Sequence, residues 1–185
     1  TLRAGALLAG SRIVFSQISG TDVPRKRNKH QYDPKGLPVS VLGKTGVVIP
    51  RLVFGLGSRF CNIATLDEAI DLCNYALDNG LYYWDTAHIY ENAETGAISE
   101  ERLGHVIKFR RNEIFLSTKV SSRDPEKAKF EIEDSLKRLQ TDHLDMLKIH
   151  AVESVDEVNN IVRKGDLLDI ITRLKEEKVT RFIGF

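Results

Sequence analysis

The stretch LYYWDTAHIY, residues 81–90, decides how the rest of the chain is organised. Its aromatic first half follows the turn-forming pair Asn79-Gly80, which predicts a short strand leaving a turn. Side chains alternate along a strand, so Tyr83 and Asp85 would share one face. Asp85 ends this strand, and Tyr90 lies in the loop that follows. A buried carboxylate at a strand end needs a partner; the alternative is an aspartate that caps a helix or bonds its own loop.

Composition and charge are those of an ordinary globular domain. The 185 residues are enough for one sizeable core, with 42% hydrophobic and 29% charged residues. The net charge of +1 gives no indication of nucleic acid or an anionic membrane as a partner. Cys61 and Cys73 form no CxxC pair, so neither a disulfide framework nor a zinc site is predicted. We expect two buried free thiols.

The first 38 residues differ from the rest. Residues 2–15 (LRAGALLAGSRIVF) are small and apolar, but too few to span a bilayer, and a basic stretch follows. Residues 1–20 resemble a truncated twin-arginine leader, which would make the protein exported or periplasmic; the alternative is a poorly ordered arm on a cytoplasmic protein. We expect residues 1–38 to pack little against the domain formed by residues 39–185. The start at Thr1 and the apolar run up to Phe185 lead us to expect a piece of a longer polypeptide.

From residue 39 onward the pattern alternates between strands and helices. Valine-rich segments on both sides of a glycine-containing turn predict a hairpin over residues 39–49. Thr65 and Glu68 have the spacing of a capping box, and Gly80 closes the helix that they begin. Apolar and charge patterns predict strands over 52–55, 81–85, 114–119, 144–150 and 181–185, and helices over 65–79, 99–111, 124–139, 155–162 and 167–178.

This alternation predicts parallel βαβ units with right-handed crossovers, which is an α/β fold. An open sheet and a closed barrel both fit five strands. The glycines of Gly55-Leu-Gly57 follow the first strand, but Phe60 stands where a Rossmann fingerprint needs its third glycine. The sequence therefore does not predict that dinucleotide-binding fold.

Three successive predicted strands end in Asp85, Lys119 and His150, and Tyr90 follows the first of them. The carboxyl ends of parallel strands line one rim, where the ligand sites of such folds lie. Neighbouring strands are about 5 Å apart, so these side chains can converge although they are distant in sequence. Lys119 is therefore the predicted partner of Asp85.

These motifs resemble the aldo-keto reductase family over about residues 39–185. The matching segments are LGKTG at 42–46, FGLG at 54–57, WDTA at 84–87 with Tyr90, SEERLG at 99–104, STK at 117–119 and IH at 149–150. The resemblance implies a TIM-type (β/α)8 barrel with about five of its eight strands present and the N-terminal hairpin at the barrel bottom. It implies reduction of a small aldehyde or ketone with NADPH, with NADH left open and no metal.

The resemblance also implies roles for the four rim residues. A phenol with an ordinary pKa near 10 is a poor acid at neutral pH, and a neighbouring cation lowers such a pKa. Tyr90 would give its proton to the developing alkoxide, while Lys119 would activate it and Asp85 would hold Lys119. His150 would hydrogen-bond the carbonyl oxygen and orient it. The expected cofactor-binding residues belong to the same rim: Gly55, Gly57 and Asp85.

Two features depart from the family pattern. The loop after Tyr90 is longer than the usual short glycine loop and would reshape the substrate entrance. Lys148 lies on the same strand face as His150, where the family usually has an apolar residue; either the strand is irregular or Lys148 has an interior partner. Three further histidines lack ligand spacing and are expected to be surface or rim residues: His88, His105 and His143.

A second function is a cofactor-binding regulatory or partner-binding barrel without efficient catalysis, as in channel-associated subunits of the family. The four rim residues argue against it, because a binding module does not need an acid and its activating pair. We also expect the 185 residues alone to be inactive, since three strands and most cofactor contacts of the implied barrel would be missing.

Overall fold

The computed structural model describes residues 29–163 and 166–185. The leader prediction for residues 1–20 lies outside the described residues. In chain order, the regular elements are β1 Val39–Val41, β2 Val48–Pro50, β3 Phe54–Gly55, α1 Leu66–Asp78, β4 Tyr83–Asp85, β5 Glu91–Asn92, β6 Ala97–Ile98, α2 Ser99–Arg110, β7 Phe115–Val120, α3 Pro125–Arg138, β8 Leu144–Ile149, α4 Val155–Ile161, α5 Leu167–Glu176 and β9 Thr180–Gly184.

Five of these strands form one parallel sheet in the order β3-β4-β7-β8-β9, and helices connect them. The prediction of five parallel strands alternating with helices is confirmed. The register aligns Gly55 with Asp85, and Lys119 with Lys148. The carboxyl ends of the strands therefore meet at one rim.

The hairpin of β1 and β2 lies beside the amino-terminal ends of the sheet strands. Tyr82, which immediately precedes β4, donates its hydroxyl to the carbonyl oxygen of Val48 at 2.8 Å. Ile49 is buried in the core. The hairpin is thus at the end opposite Asp85, as predicted for a hairpin at the bottom of a barrel.

The two faces of the sheet carry different side chains. Trp84, Leu116 and Leu147 alternate onto one face and are fully buried, and burial of each such leucine stabilises the fold by about 1.5–3 kcal/mol. The other face carries Tyr83 and Phe115, whose ring centroids are 4.7 Å apart. Towards the carboxyl ends this second face becomes polar, and the candidate site lies there.

Helix starts follow their capping residues. The Thr65 side chain accepts a hydrogen bond from the Glu68 amide, and the Glu68 carboxylate accepts one from the Thr65 amide, so the predicted capping box is present. The Asp124 side chain caps α3 by accepting a hydrogen bond from the Lys127 amide, with Pro125 in the first turn. Loss of such a cap typically costs about 1 kcal/mol.

Residues 30–34 pack against the sheet, so the prediction that all of residues 1–38 pack little is wrong for this part. The Tyr32 ring stacks on Tyr82 with centroids 5.1 Å apart, and its hydroxyl donates to Asp145 at 2.7 Å. A Cβ on Gly80, where φ is +90°, would lie 2.0 Å from the carbonyl oxygen of Pro34. Only glycine at position 80 therefore lets the segment of residues 30–34 pack this closely against the turn.

Three local predictions differ from the structure. The strand predicted over 52–55 begins only at Phe54, where pairing with β4 starts, and Leu52 and Val53 before it are 63% and 46% exposed. The loop after Tyr90 contains the antiparallel pair β5–β6, which its polar composition did not indicate. His143 is buried, with Nδ1 2.6 Å from an oxygen of Asp142, and is not a surface residue.

Cys61 and Cys73 are buried and free, as predicted. Within residues 29–163 and 166–185, no group of His, Cys, Asp or Glu could hold a metal ion. In the same ranges no helix is long and apolar enough to cross a bilayer.

Candidate active site

The carboxyl ends of β4, β7 and β8 bring the predicted rim residues together. Asp85 ends β4, Lys119 is the penultimate residue of β7 and His150 follows β8 directly. Tyr90 reaches the same place from a tight turn, in which its carbonyl oxygen accepts a hydrogen bond from the Ser99 amide at 2.9 Å. The start of α2 thereby fixes the loop that presents the phenol.

Lys119 connects the acidic and phenolic parts of the site. Its Nζ lies 2.8 Å from Asp85 Oδ2 and donates to the Thr86 carbonyl oxygen at 2.7 Å and to Tyr90 Oη at 3.3 Å. An ammonium group has three donors, so these contacts use all of them. The ammonium is therefore held in one orientation, with one proton aimed at the phenol.

The Tyr90 hydroxyl lies between Lys119 and His150. Its oxygen is 3.4 Å from His150 Nε2, and the two rings meet edge to face with centroids 5.7 Å apart. These contacts are longer than the usual 2.7–3.2 Å. A carbonyl oxygen near Tyr90 Oη would be within reach of both the phenol and the imidazole.

Lys148 has an interior partner, which decides between the two alternatives that its position on the strand leaves open. Its Nζ lies 2.7 Å from Asp85 Oδ1, while Lys119 occupies Oδ2. The strand is regular here, because Lys148 is paired in register with Lys119. The Asp85 carboxylate therefore accepts from two lysines, one on each oxygen.

The charges of the site favour ionised Asp85 and Lys148 and a neutral imidazole. Burial opposes ionisation of Asp85, but the two lysines outweigh it and lower the pKa of the carboxyl. Burial likewise opposes the charge on Lys148, but Asp85 outweighs it and raises the pKa of the amine. Burial, followed by the charges of Lys119 and Arg123, lowers the pKa of His150, so its ring is neutral at pH 7.

Arg123 is a rim residue that the sequence analysis missed. It lies in the loop after β7, and its Nη2 donates to the carbonyl oxygen of His150 at 2.6 Å. Its Nη1 donates to the Ser121 carbonyl oxygen at 2.8 Å, and Glu157 pairs with the guanidinium. These bonds join the loops after β7 and β8 and fix the backbone at His150. No spacing or motif marks this arginine, since its partners outside its own loop, the His150 carbonyl oxygen and Glu157, are 27 and 34 residues away along the chain.

The two glycines predicted to bind cofactor leave the rim open. A Cβ on Gly55 would meet nothing within 4 Å, and one on Gly57 would lie 3.8 Å from the Tyr90 ring. Gly55 is aligned with Asp85 in the sheet. The cofactor roles of Gly55, Gly57 and Asp85 stay predictions, as do the catalytic roles of the four rim residues.

Comparison with known proteins decides the family. The family model described as "Aldo/keto reductase family" matches residues 51–185. The chain belongs to the aldo/keto reductase family. The fold class predicted from the sequence is confirmed: the five parallel strands of the described residues are part of a TIM-type barrel.

Relatives of this aldo/keto reductase chain include enzymes and a channel subunit. L-galactose dehydrogenase of Arabidopsis thaliana is 30% identical and covers 80% of this chain and 48% of its own length. A protein named probable voltage-gated potassium channel subunit beta, from the same plant, is 31% identical, and the match covers 66% of this chain and 40% of that protein. An aldo/keto reductase from Klebsiella pneumoniae, solved in complex with NADP and acetate, is 26% identical with a TM-score of 0.58. This match covers 75% of the present chain and 46% of the solved one. The chain thus spans about half, or less, of the length of these relatives.

Proposed function

We propose that the full-length protein reduces aldehydes or ketones to alcohols with NADPH, with Tyr90 as the acid. The observation that carries the proposal is the position of Lys119 Nζ, 2.8 Å from Asp85 and 3.3 Å from Tyr90 Oη. Lys119 thus contacts both the carboxylate and the phenol beside His150, which is where a cation must lie to stabilise a Tyr90 phenolate. The family membership supports the same reaction class.

The residues of this chain would act on the substrate oxygen. The cofactor, when bound, supplies the hydride for the carbonyl carbon. Tyr90 gives its proton to the oxygen as negative charge develops there, and Lys119 stabilises the phenolate that remains by its hydrogen bond. His150, neutral and held by Arg123 at its carbonyl oxygen, hydrogen-bonds the substrate oxygen and keeps it beside Tyr90. Proton donation of this kind contributes typically about 10²–10⁴ in rate.

The residues present fit a nicotinamide cofactor on this rim. A Cβ added to Gly55 would meet no atom within 4 Å, and one added to Gly57 would be at ordinary contact distance from the Tyr90 ring alone. The surface beside the phenol is thus open to a flat ring. Asp85, aligned with Gly55, is the remaining residue of the predicted set. NADPH is the proposed cofactor because a solved relative carries NADP.

Replacement of Tyr90 tests the proposal. In the full-length protein, Tyr90→Phe should lower turnover of simple aldehydes by about 10²–10⁴ while NADPH affinity, followed by fluorescence quenching, stays within a few-fold. Tyr75→Phe is the matched control, because Tyr75 is 69% exposed on α1 and does not belong to the rim. Undiminished turnover in Tyr90→Phe would remove Tyr90 from the mechanism.

A regulatory or partner-binding barrel is the second candidate. The observation that favours it is the relative named as a potassium channel subunit, whose identity to this chain equals that of the enzyme relative within a point. NADPH binding by the full-length protein without reduction of any aldehyde in a broad panel would favour this second function over the first.

We propose further that the 185 residues alone are inactive. In the described sheet β3 and β9 are the edge strands, each with one neighbour. Open edges recruit other chains, and no second half would hold a cofactor over the rim. The chain alone should therefore aggregate in light scattering and fail to quench NADPH fluorescence; a monomer that binds NADPH at micromolar concentration would contradict this.

A further inference from the structure

Lys148 is the one lysine whose place in the site the reaction scheme leaves unexplained. It stands on β8, two residues before His150 and on the same inward face of the strand. Its side chain is 19% exposed, its Nζ contacts Asp85 Oδ1, and it lies 5.8 Å from the centre of the Tyr83 ring. Two lysines that are register neighbours thus share one carboxylate.

Such an arrangement has a cost and a consequence. Like charges side by side are unfavourable, and an aspartate balances only one of them. The consequence is that each carboxylate oxygen has its own donor, so Lys119 takes only Oδ2 and keeps its other protons for Thr86 and Tyr90. The terminal torsion of an aspartate is soft, so an unheld Oδ1 could rotate and draw Lys119 away from the phenol.

We propose that Lys148 is a positioning residue of the site: it holds Asp85 Oδ1, leaves Oδ2 for Lys119, and makes the partly buried carboxylate–lysine cluster carry a net positive charge. The inference rests on the proposed reductase function. Lys148 acts through Asp85 and Lys119 and does not itself touch the substrate oxygen. Its excess charge stabilises the phenolate that remains after Tyr90 has given up its proton.

The charged and titratable groups around this cluster come from several elements. Asp85 and Tyr83 lie on β4, Tyr90 in the loop after β4 and Lys119 on β7. His150 follows β8, and Arg123, in the loop after β7, is paired with Glu157 of α4. Asp85 therefore supplies the negative charge next to the two lysines, and His150 is neutral at pH 7. Removal of the Lys148 charge therefore leaves the Asp85–Lys119 pair close to neutral.

The test is a pair of pH profiles on the full-length protein, for aldehyde reduction and for oxidation of the corresponding alcohol. In Lys148→Met the phenolate loses a stabilising charge, so the high-pH limb of reduction and the low-pH limb of oxidation should both move up by about one pH unit. Alcohol oxidation at neutral pH should then fall about tenfold, while aldehyde reduction changes much less. Lys148→Arg should keep both limbs in place, because it keeps the charge.

Two further variants separate charge from packing. Lys148→Gln keeps a hydrogen-bond donor for Asp85 without the charge, so its limbs should move like those of Lys148→Met; it also serves if the Met variant does not fold. Lys108→Met removes an exposed lysine of α2 and should move neither limb. Equal losses in both directions with unmoved limbs would reduce Lys148 to a structural ion pair and overturn the inference.

A readout without turnover keeps this test separate from the test of the reductase function. In the full-length protein labelled with [13Cζ]tyrosine, the Tyr90 resonance is identified by its loss in Tyr90→Phe and is followed against pH. The phenol should deprotonate about one pH unit higher in Lys148→Met than in the wild type. If no carbonyl is reduced but this shift is present, the reductase proposal fails and the role of Lys148 stands. If reduction occurs and the shift is absent, the role of Lys148 fails.

Discussion

Two aspartates, one at each end of the sheet, are each surrounded by two cations, and they differ in what those cations do. Asp85 at the carboxyl rim accepts from Lys119 and Lys148. Asp145 near the amino end of β8 pairs with Arg111 at 2.9 Å and Arg181 at 2.6 Å. In both cases burial opposes the charge and the cations outweigh it, so the pKa of each carboxyl is lowered.

The cluster around Asp145 is closed. The carboxylate is fully buried and also accepts from the Leu116 amide at 3.0 Å and the Tyr32 hydroxyl at 2.7 Å. Arg111 directs its other donors to the carbonyl oxygens of Ile114 and His143. Arginine suits this role, since its planar fork stays charged and bonds several fixed oxygens at once.

The cluster around Asp85 is open by comparison. Its carboxylate is 20% exposed, and one of its lysines has a proton directed at a phenol on the rim. Lysine is a compact charge on a flexible stem, which can support a neighbour that gains or loses a proton. In both clusters a cation donates to a phenol, Arg181 to Tyr32 at 3.1 Å and Lys119 to Tyr90 at 3.3 Å. The difference lies in the phenol: the Tyr32 hydroxyl donates to Asp145, whereas the Tyr90 hydroxyl lies beside His150 at the rim.

The largest expected effect is on stability, at the closed cluster. Asp145→Asn leaves two arginines near a neutral amide, and removal of one partner from a buried ion pair costs about 3–5 kcal/mol. We expect the lower part of that range, because the Arg181 side chain is 32% exposed and can reach water. Urea unfolding of the full-length protein measures this, and a loss below about 1 kcal/mol would show that the clamp is dispensable.

Asp85→Asn should lower the free energy of unfolding less than Asp145→Asn does, but it should lower the rate of aldehyde reduction more. The charge-assisted bond that orients Lys119 is worth about 1.5–3 kcal/mol, which corresponds to roughly 10- to 100-fold in turnover. Steady-state rates are compared with those of folded Asp145→Asn protein at the same temperature. Equal rate losses per folded molecule in the two variants would break the distinction between the clusters.

A smaller effect is expected where the arm meets the closed cluster. Tyr32→Phe keeps the ring stack on Tyr82 but removes the hydroxyl that donates to Asp145, and a hydrogen bond to a charged group is worth about 1.5–3 kcal/mol. Because the other donors to Asp145 remain, we expect the free energy of unfolding to fall by about 1.5 kcal/mol, the lower end of that range. Tyr75→Phe, at an exposed tyrosine, is the control and should leave the unfolding midpoint unchanged.

The smallest effect is on the acid dependence of stability. A carboxyl whose folded pKa lies below its unfolded value of about 3.9 adds stability above that value, and the contribution is lost as pH falls through the folded pKa. Urea midpoints of the wild type should therefore fall steeply below about pH 4. The slope should be shallower in Asp145→Asn, and an unchanged slope would assign the acid lability to other carboxyls.

The sequence predicts the open cluster well, for a physical reason. Strand ends are visible in the hydrophobic pattern, and parallel topology brings those ends to one rim wherever the chain crosses back. Asp85, Lys119 and His150 each end a predicted strand, and the structure brings them together with Tyr90. The strand pattern also places Lys148 on the same face as His150, but it does not identify Asp85 as its partner.

The closed cluster could not be predicted in the same way. Asp145 lies near the start of a strand, and its partners come from a turn after α2, from β9 and from the arm. Long side chains reach these positions through tertiary packing that no local period encodes. Tyr32 was hidden for the same reason, because a polar, basic segment around one aromatic residue has the composition of a loose arm.

The central claim is that the full-length protein reduces a carbonyl with a hydride from NADPH and a proton from Tyr90. The most direct test gives the full-length protein an aldehyde together with NADPH deuterated at the transferable position, and analyses the product by mass spectrometry. The account predicts an alcohol with one deuterium on the former carbonyl carbon, formed about 10²–10⁴ times more slowly by Tyr90→Phe. Unlabelled alcohol, or equal rates for the two proteins, would contradict it.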